Sequence, residues 1–325
     1  MITRIEDNGG IEVIRYNSHR YVGTFDSTTN IMSLKQLHDY DGTRYTNGTI
    51  ADITTLGNDV WMKLPQFWYK AEEYDTDVWD ITFAYGGKPD STFKEWDGKN
   101  LIGVYEAYVS SGLMYSVSGR TSTGYISKIN SKDYSRNRGL GFTAIKWNQN
   151  CMMSFLFLGW YHYTSKANTI GSGSSSYSLS TGGTNDIGMK DTAKSSDYTN
   201  FWGLENFWNC KTEWVDNITG DNGIICIDED DGTQRCFEGV IGRAALRKIM
   251  IGEHLDIAAT EVSSTEYAFG NAPWYFTAGS ELGALRGGYQ NYWDICATNF
   301  ENSATHTADI IGSRLSYRGD YIITD

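Results

Sequence analysis

Side chains that commonly take part in catalysis are present in this sequence but form no recognisable constellation. The five histidines are scattered at positions 19, 38, 162, 254 and 306. The chain lacks HExxH, GxSxG, Walker and GxGxxG motifs. We therefore expect no catalytic residue and no cofactor, and we predict that the protein is not an enzyme. The 40 Asp and Glu residues leave one alternative open, a hydrolase that cleaves cell-surface polysaccharide with paired carboxylates.

Four consecutive acidic residues, Asp228 to Asp231, precede Gly232 and supply the clustered oxygens that a calcium ion takes. Their spacing does not fit an EF-hand loop, in which acidic residues alternate and a distant glutamate completes the site. A solvated hairpin tip is the favoured interpretation, and we predict no metal ligands. The same turn is flanked symmetrically by Cys226 and Cys236, which are expected to face each other across the hairpin.

The five cysteines include no CxxC pair, and their odd number makes a poor disulfide framework. We therefore expect buried, reduced thiols. For Cys226 and Cys236 we expect proximity without a bond, although a disulfide between them remains the alternative.

The charge balance and hydropathy restrict the partners of the chain. With 27 Lys and Arg against 40 Asp and Glu, the formal net charge is −13, which argues against a nucleic-acid partner. No apolar run reaches the length that a membrane span needs, and the first ten residues do not resemble a signal peptide. We expect a protein that is made in the cytoplasm and does not insert into membranes.

The elements that must position a site are predicted by hydrophobic patterning. Residues 1–55 are polar, with a hairpin expected at Gly9-Gly10, and are predicted to form a small N-terminal segment for attachment or oligomerisation. Aromatic-rich strands that pair with each other are predicted at 60–74 and 79–85, and a buried helix between Trp147 and Tyr163. A Gly/Ser loop at 171–183 and short strands at 224–227, 234–240 and 248–251 follow.

Four segments carry a resemblance to a known family. Residues 198–220 (YTNFWGLENFWNCKTEWVDNITG) resemble a motif of phage tail and prophage proteins with the C-type-lectin-like fold. The matches at 64–70, 284–294 and 310–318 follow the family's order, so the resemblance covers roughly residues 60–320. The same superfamily holds the formylglycine-generating enzymes and the variable proteins of diversity-generating retroelements, including a phage major tropism determinant. The resemblance implies an α+β, C-type-lectin-like domain over residues 56–325, with short strands, one or two helices and long loops.

The motif residues also have physical roles that need no family. Large indole rings in a segment interrupted by glycines are expected to fix loops in the core, and the arginines to bridge carbonyls or carboxylates beneath those loops. The glycines allow backbone conformations that other residues resist. The residues predicted to be structural are Trp202, Trp208, Trp214, Arg286, Gly287, Gly288 and Arg314.

The resemblance implies a variable region at about residues 272–318 that binds a ligand. Within residues 289–309, Tyr, Asn, Asp, Ser, Thr and His make up 12 of 21 positions, a composition that suits a binding surface. The implied partner is a cell-surface receptor, protein or glycan, bound by a phage tail or a bacterial surface protein that is a homotrimer or is attached to a tail fibre. The predicted ligand-binding residues are Trp274, Tyr275, Tyr289, Gln290, Asn291, Tyr292, Trp293, Asp294, Asn299, Asn302, Thr305 and His306.

The enzymatic branch of the superfamily is disfavoured by one departure from its pattern. Formylglycine-generating enzymes carry two copper-binding cysteines shortly after the position equivalent to Arg286. Here Cys296 stands alone, and Tyr292 lies near the place of the first cysteine. One thiol cannot reproduce that site.

Overall fold

A computed structural model describes most of the chain. The described residues are 4–7, 9–75, 78–162, 166–174, 176–193, 195–252, 254–265, 269, 272–287 and 294–324. The α-helices of this part are α1 (Gly10–Tyr16), α2 (Lys128–Arg136) and α3 (Trp147–Tyr161), and short 3-10 helices lie at Lys166–Asn168 and Asn185–Ile187.

Strands predominate. The strands of the first half are β1 (Arg4–Asp7), β2 (His19–Asp26), β3 (Ile31–His38), β4 (Asp41–Tyr45), β5 (Asn58–Lys63), β6 (Phe67–Asp75), β7 (Val78–Ala84), β8 (Lys94–Trp96), β9 (Asn100–Glu106), β10 (Tyr108–Ser110), β11 (Leu113–Tyr115) and β12 (Phe142–Ala144). The strands of the second half are β13 (Thr192–Ala193), β14 (Thr199–Phe201), β15 (Leu204–Glu205), β16 (Thr212–Asp221), β17 (Ile224–Asp228), β18 (Gln234–Glu238), β19 (Gly242–Ile251), β20 (Ile257–Ser263), β21 (Pro273–Phe276), β22 (Leu282–Arg286), β23 (Thr298–Ser303), β24 (Ile311–Gly312), β25 (Arg314–Arg318) and β26 (Tyr321–Thr324). The fold is therefore mostly β, more so than the α+β class predicted.

An eight-stranded sheet joins the two ends of the chain. Its order is β12-β25-β9-β5-β2-β3-β26, with β4 paired to β3. The boundary predicted at residue 55 is corrected here, because β2 pairs with β3 on one side and with β5 on the other. Arg20, on β2, is fully buried and donates from Nε to the carbonyl of Gly203 at 2.6 Å. The N-terminal segment is thus part of the main fold.

A nine-stranded sheet in the order β18-β17-β16-β22-β23-β21-β19-β20, with β24 paired to β16, forms the C-terminal half. The remaining strands form a four-stranded sheet β1-β7-β6-β8, a three-stranded sheet β13-β14-β15 and the hairpin β10-β11. The predicted pairing of the two aromatic-rich segments is confirmed by β6 and β7, while Pro65 lies between β5 and β6, outside any strand. Hairpin β17-β18 and strand β19 match the strands predicted in that region.

Helix α3 confirms the predicted core helix. Twelve of its fifteen residues are buried, from Trp147 to Gly159 with Asn148 as the exception, so it is covered on all sides. The main core cluster contains its side chains together with residues of the nine-stranded sheet and of the eight-stranded sheet. By contrast, the hairpin predicted at Gly9-Gly10 is wrong: this pair begins α1, where a Cβ on Gly10 would lie 2.3 Å from the carbonyl oxygen of Phe83.

The cysteines divide into a bonded pair and buried thiols. Cys226 and Cys236 are directly opposite in hairpin β17-β18 and form a disulfide with a Cα separation of 4.2 Å, so the predicted proximity is confirmed and the predicted reduced state is wrong. Cys151, Cys210 and Cys296 are free and buried. Burial raises the pKa of Cys151 to about 12 and that of Cys296 to about 11, which makes both thiols poor nucleophiles.

Candidate functional site

A surface groove of about 430 Å³ crosses one face of the nine-stranded sheet. Its floor contains Arg243, Tyr275, Asn299 and Leu285, which are register partners on the adjacent strands β19, β21, β23 and β22. Directly opposed residues point to the same side of a sheet, so four neighbouring strands contribute one lateral row of side chains. We call this site the sheet groove.

The adjacent row points to the opposite face and is part of the core. Its members are Ala244, Trp274, Thr298 and Arg286, again register partners. Trp274 is fully buried, and its Nε1 donates to the carbonyl of Val240 at 2.9 Å. Its predicted place on the binding face is therefore corrected: strand alternation directs Trp274 inward and Tyr275 outward.

Polar contacts hold the floor of the sheet groove in place. The Arg243 guanidinium lies 5.1 Å from the centre of the Tyr275 ring, and its Nε is 3.4 Å from a carboxylate oxygen of Glu301. Asn299 Oδ1 accepts from the backbone N–H of Glu301 at 2.8 Å and from Asn302 Nδ2 at 3.3 Å. The groove therefore presents an aromatic ring, amides and an ion pair side by side.

One wall of the sheet groove, beside Leu285 on the floor, is apolar. Leu285 and Ile311 are buried with Trp214 in a small cluster, against which Ala308 and Ile310 pack. The segment between β23 and β24 carries Ala308 and Ile310 together with the exposed His306. An apolar wall beside adaptable hydrogen-bonding groups is the common composition of ligand sites.

The predicted ligand-binding residues are only partly brought together. Tyr275, Asn299, Asn302 and His306 line the sheet groove, and Thr305 is exposed beside His306. The predicted residues that lie outside the described part of the chain are Tyr289, Gln290, Asn291, Tyr292 and Trp293.

The predicted place of Asp294 on the binding face is also corrected. Its side chain is buried, and Oδ1 accepts a hydrogen bond of 3.0 Å from the backbone N–H of Lys166, at the start of a 3-10 helix. The ammonium of Lys166 in turn donates to the carbonyl of Trp208. Asp294 therefore fixes a buried loop and is not part of an exposed face.

Sequence reasoning missed Arg243, Glu301 and Leu285. Arg243 lies on β19, far along the chain from the residues that it contacts, so only the strand pairing brings it to the groove. For Glu301 a signal existed, because it alternates with the apolar Phe300 in the same strand as Asn299.

The predicted structural residues lie in the interior. Trp202, Trp208 and Trp214 are fully buried, and Trp214 Nε1 donates to the carbonyl of Ile126 at 2.7 Å. Gly287 has a φ of +84°, the left-handed region that favours glycine. Gly288 lies outside the described residues.

Two buried arginines connect distant segments. Arg286 donates to Thr298 Oγ1 at 3.0 Å and to the carbonyl of Ile295 at 3.3 Å, and its guanidinium lies 4.9 Å from the centre of the Trp147 ring. Arg314 pairs with the buried carboxylate of Glu213. It also donates to backbone carbonyls at 2.8–3.0 Å, those of Gly103, Val104 and Glu205.

A second cavity, the charged cleft, is lined by five acidic side chains. It has a volume of about 450 Å³ and is lined by Glu95, Asp97, Glu229, Asp230, Asp231, Arg235, His254 and Arg318, among others. Arg318 joins two of the carboxylates, with contacts of 2.7 Å to Asp97 and 2.8 Å to Asp230. Burial raises the pKa of Asp230, but Lys146 and Arg318 outweigh that effect and bring the pKa below its ordinary value.

Nowhere in the described part of the chain do three or more His, Cys, Asp or Glu side chains form a group that could hold a metal ion. Among the helices of that part, none is long and apolar enough to cross a membrane.

Comparisons with known proteins give distant structural similarities. No protein-family model and no curated protein sequence matches the chain. The solved structure of a Major Tropism Determinant I1 Variant is 11% identical, with a TM-score of 0.33 over 91% of this chain and 94% of that chain. A P3c Variant is 10% identical, with a TM-score of 0.33 over 97% and 98% of the two chains. A U1 Variant is 8% identical, with a TM-score of 0.32 over 98% and 99%.

Proposed function

We propose that this protein binds a cell-surface receptor, either a protein or a glycan, without catalysing a reaction. We further propose that it is located on a phage tail or on a bacterial surface. The observation that carries the proposal is the sheet groove, in which four adjacent strands align Arg243, Tyr275, Asn299 and Leu285. A rigid sheet holds these side chains before the ligand arrives, which lowers the entropic cost of binding.

The proposed binding face continues into the segment that the sequence resemblance singles out. Tyr289, Gln290, Asn291, Tyr292 and Trp293 follow β22, whose Leu285 lines the groove. We propose that they extend the face and vary among relatives as retroelement-diversified positions do. A trimer, or several copies on a tail fibre, would convert weak single-site affinity into firm attachment.

The hydrolase alternative is less well supported. A glycosidase of the usual kind needs one carboxyl group with a raised pKa to protonate the leaving group. In the charged cleft, the pKa of Asp230 is lowered, and Asp231 is lowered too by hydrogen bonds from Thr233. Among the described residues that line the sheet groove, Glu301 is the sole carboxylate. These observations disfavour hydrolysis in the charged cleft and in the sheet groove.

The proposal is tested by cell attachment. Fluorescently labelled protein is applied to a panel of bacterial strains, and bound protein is measured by flow cytometry over a concentration series. We expect Tyr275→Ala to weaken attachment about thirtyfold, the loss typical of an aromatic anchor worth about 2 kcal/mol. The matched control is Tyr85→Ala, which removes an exposed tyrosine that does not line the groove.

A second set of variants separates the groove from its proposed extension. Tyr292→Ala and Trp293→Ala are measured beside Tyr275→Ala, with the melting temperature as the check on folding. Full attachment by all three folded variants would place the binding face elsewhere. Attachment lost equally in the Tyr85→Ala control would show that the effect is not specific to the groove.

A further inference from the structure

A smaller cleft is built by elements that do not contribute to the sheet groove. It lies where the end of α1 meets the turn between β3 and β4, the last turn of α3 and residues 189–191. Its volume is about 160 Å³. Sites for drug-sized ligands have about 300–1,000 Å³, so this space suits a single small ring. We call it the tyrosine cleft.

Aromatic rings line the tyrosine cleft from two sides. Tyr16 is 66% exposed and Tyr40 is 61% exposed, which makes them two of the most exposed large side chains among the described residues. Trp160 is half-buried and is held edge-to-face against the buried Trp202, with ring centres 5.7 Å apart. One exposed aromatic residue is ordinary, but two beside a fixed indole in one cleft offer the flat amphipathic area typical of binding surfaces.

Polar groups between these rings are already held in place. Asp191 accepts from the backbone N–H of Trp202 at 2.9 Å and from Arg15 Nε at 3.4 Å, and only 13% of its side chain is exposed. Arg15 also donates to the carbonyl of Met189. Asp39 lies at the more exposed end, where its Oδ1 is 2.9 Å from His19 Nδ1. Carboxylates and a guanidinium in fixed positions accept from and donate to hydroxyl groups.

We propose that the tyrosine cleft binds one sugar ring, at a site separate from the receptor-binding groove. The C–H face of the ring stacks on Tyr16 and Tyr40, and the ring hydroxyls hydrogen-bond to Asp39, Asp191 and Arg15. A neutral sugar fits better than a cation, because Arg15 lines the cleft and the Lys190 ammonium lies 5.8 Å from the centre of the Tyr40 ring. The two positive charges balance the two carboxylates.

The test uses the full chain and simple glycosides. The methyl glycosides of glucose, galactose, mannose and N-acetylglucosamine are titrated in saturation-transfer NMR and calorimetry. At least one is expected to bind saturably. Tyr16→Ala with Tyr40→Ala should weaken that binding about tenfold or more, as the loss of aromatic anchors does. Tyr16→Phe with Tyr40→Phe keeps both aromatic rings, and this variant should retain the glycoside affinity of the wild type within about threefold.

Two controls make the outcome decisive. Tyr85→Ala should leave glycoside binding unchanged, because this exposed tyrosine lines neither the tyrosine cleft nor the sheet groove. The melting temperature should stay the same in all variants, since the replaced side chains are largely exposed or lie at the surface. The proposal is overturned if no glycoside binds the wild type, if the variant with Tyr16→Ala and Tyr40→Ala binds normally, or if Tyr85→Ala weakens glycoside binding as much as that double variant does. Because the readout is glycoside binding and not cell attachment, it stands or falls independently of the groove.

Discussion

At the scale of single residues, buried charges link parts of the chain that are far apart in sequence. Glu213 and Arg314 are both fully buried, and Arg314 also binds carbonyls of β9 and β15. The sequence allowed the prediction that Arg314 bridges carbonyls or carboxylates, because an arginine in a glycine-rich motif has few other roles. It could not identify Glu213 as the partner, since any of 40 acidic residues qualified.

The Glu213 carboxyl makes stability depend on pH. Burial raises its pKa to about 7, Arg314 opposes the rise and Glu106 adds to it. The pKa of a glutamate in an unfolded chain is about 4.3. Between that pH and about pH 7, the Glu213 carboxyl is therefore protonated in the folded chain and ionised in the unfolded chain. The contribution of Glu213 to the free energy of unfolding is therefore greatest at low pH and is lost as the pH rises through about 7.

We predict that Glu213→Gln removes this dependence. As the pH rises from 4.5 to 7.5, the free energy of unfolding of the variant minus that of the wild type should increase by about 1–3 kcal/mol. Urea denaturation at several pH values measures it. Val215→Ala, a buried apolar truncation on the same strand, is the control and should differ from wild type by a constant amount. A constant difference for Glu213→Gln as well would contradict the raised pKa.

At the scale of elements, the sequence predicted those helices and strands that follow from local patterns, but not those that depend on tertiary contacts. Helix α3 was predictable because a long apolar run without β-branched residues exceeds strand length. Hairpin β17-β18 was predictable from the acidic turn between two short apolar runs. The start of α1 was not, because Gly10 is required by its close approach to Phe83, a contact invisible in sequence. Trp274 was misplaced because a four-residue strand offers too little alternation to orient its rings.

Hairpin β17-β18 supplies the prediction at this scale. It forms one end of the nine-stranded sheet, and its tip lines the charged cleft. The Cys226–Cys236 bond closes a loop with a sequence separation of 10 residues. Such a bond lowers the conformational entropy of the unfolded chain. The loop-entropy relation gives a stabilisation of about 3 kcal/mol for a loop of this length.

We predict that Cys226→Ser with Cys236→Ser lowers the free energy of unfolding by about 2–3 kcal/mol. Reductant should lower the melting temperature of the wild type toward that of the double variant, and should leave the variant itself unchanged. Measuring both proteins with and without reductant controls for effects on Cys151, Cys210 and Cys296. Equal melting temperatures of the oxidised wild type and the variant would show that the bond adds nothing to stability.

At the scale of the whole molecule, the fold closes through contacts between the two ends of the chain. Strand β26 pairs with β3, and β25 pairs with β9, so residues near 320 lie beside residues near 30 and 100. The resemblance covered roughly residues 60–320, and the polar composition of the first 55 residues suggested a separate segment. Composition did not reveal the pairing because the polar residues alternate with a few deeply buried ones, such as Val22, Leu34 and Leu37.

This architecture predicts that residues 56–325 do not fold alone. Removing residues 1–55 deletes β2, which supplies six register partners to β5, and leaves β5 as an open edge. It also removes Arg20, whose Nε and Nη2 donate to Gly203 and Thr184 in the second half. The matched control deletes residues 321–325, which hold only the mostly exposed edge strand β26 and pair with β3 alone. We expect a cooperative thermal transition for this control and none for the 56–325 fragment. A fragment that melts cooperatively, with dispersed amide NMR signals, would instead restore the N-terminal segment as a separate attachment module.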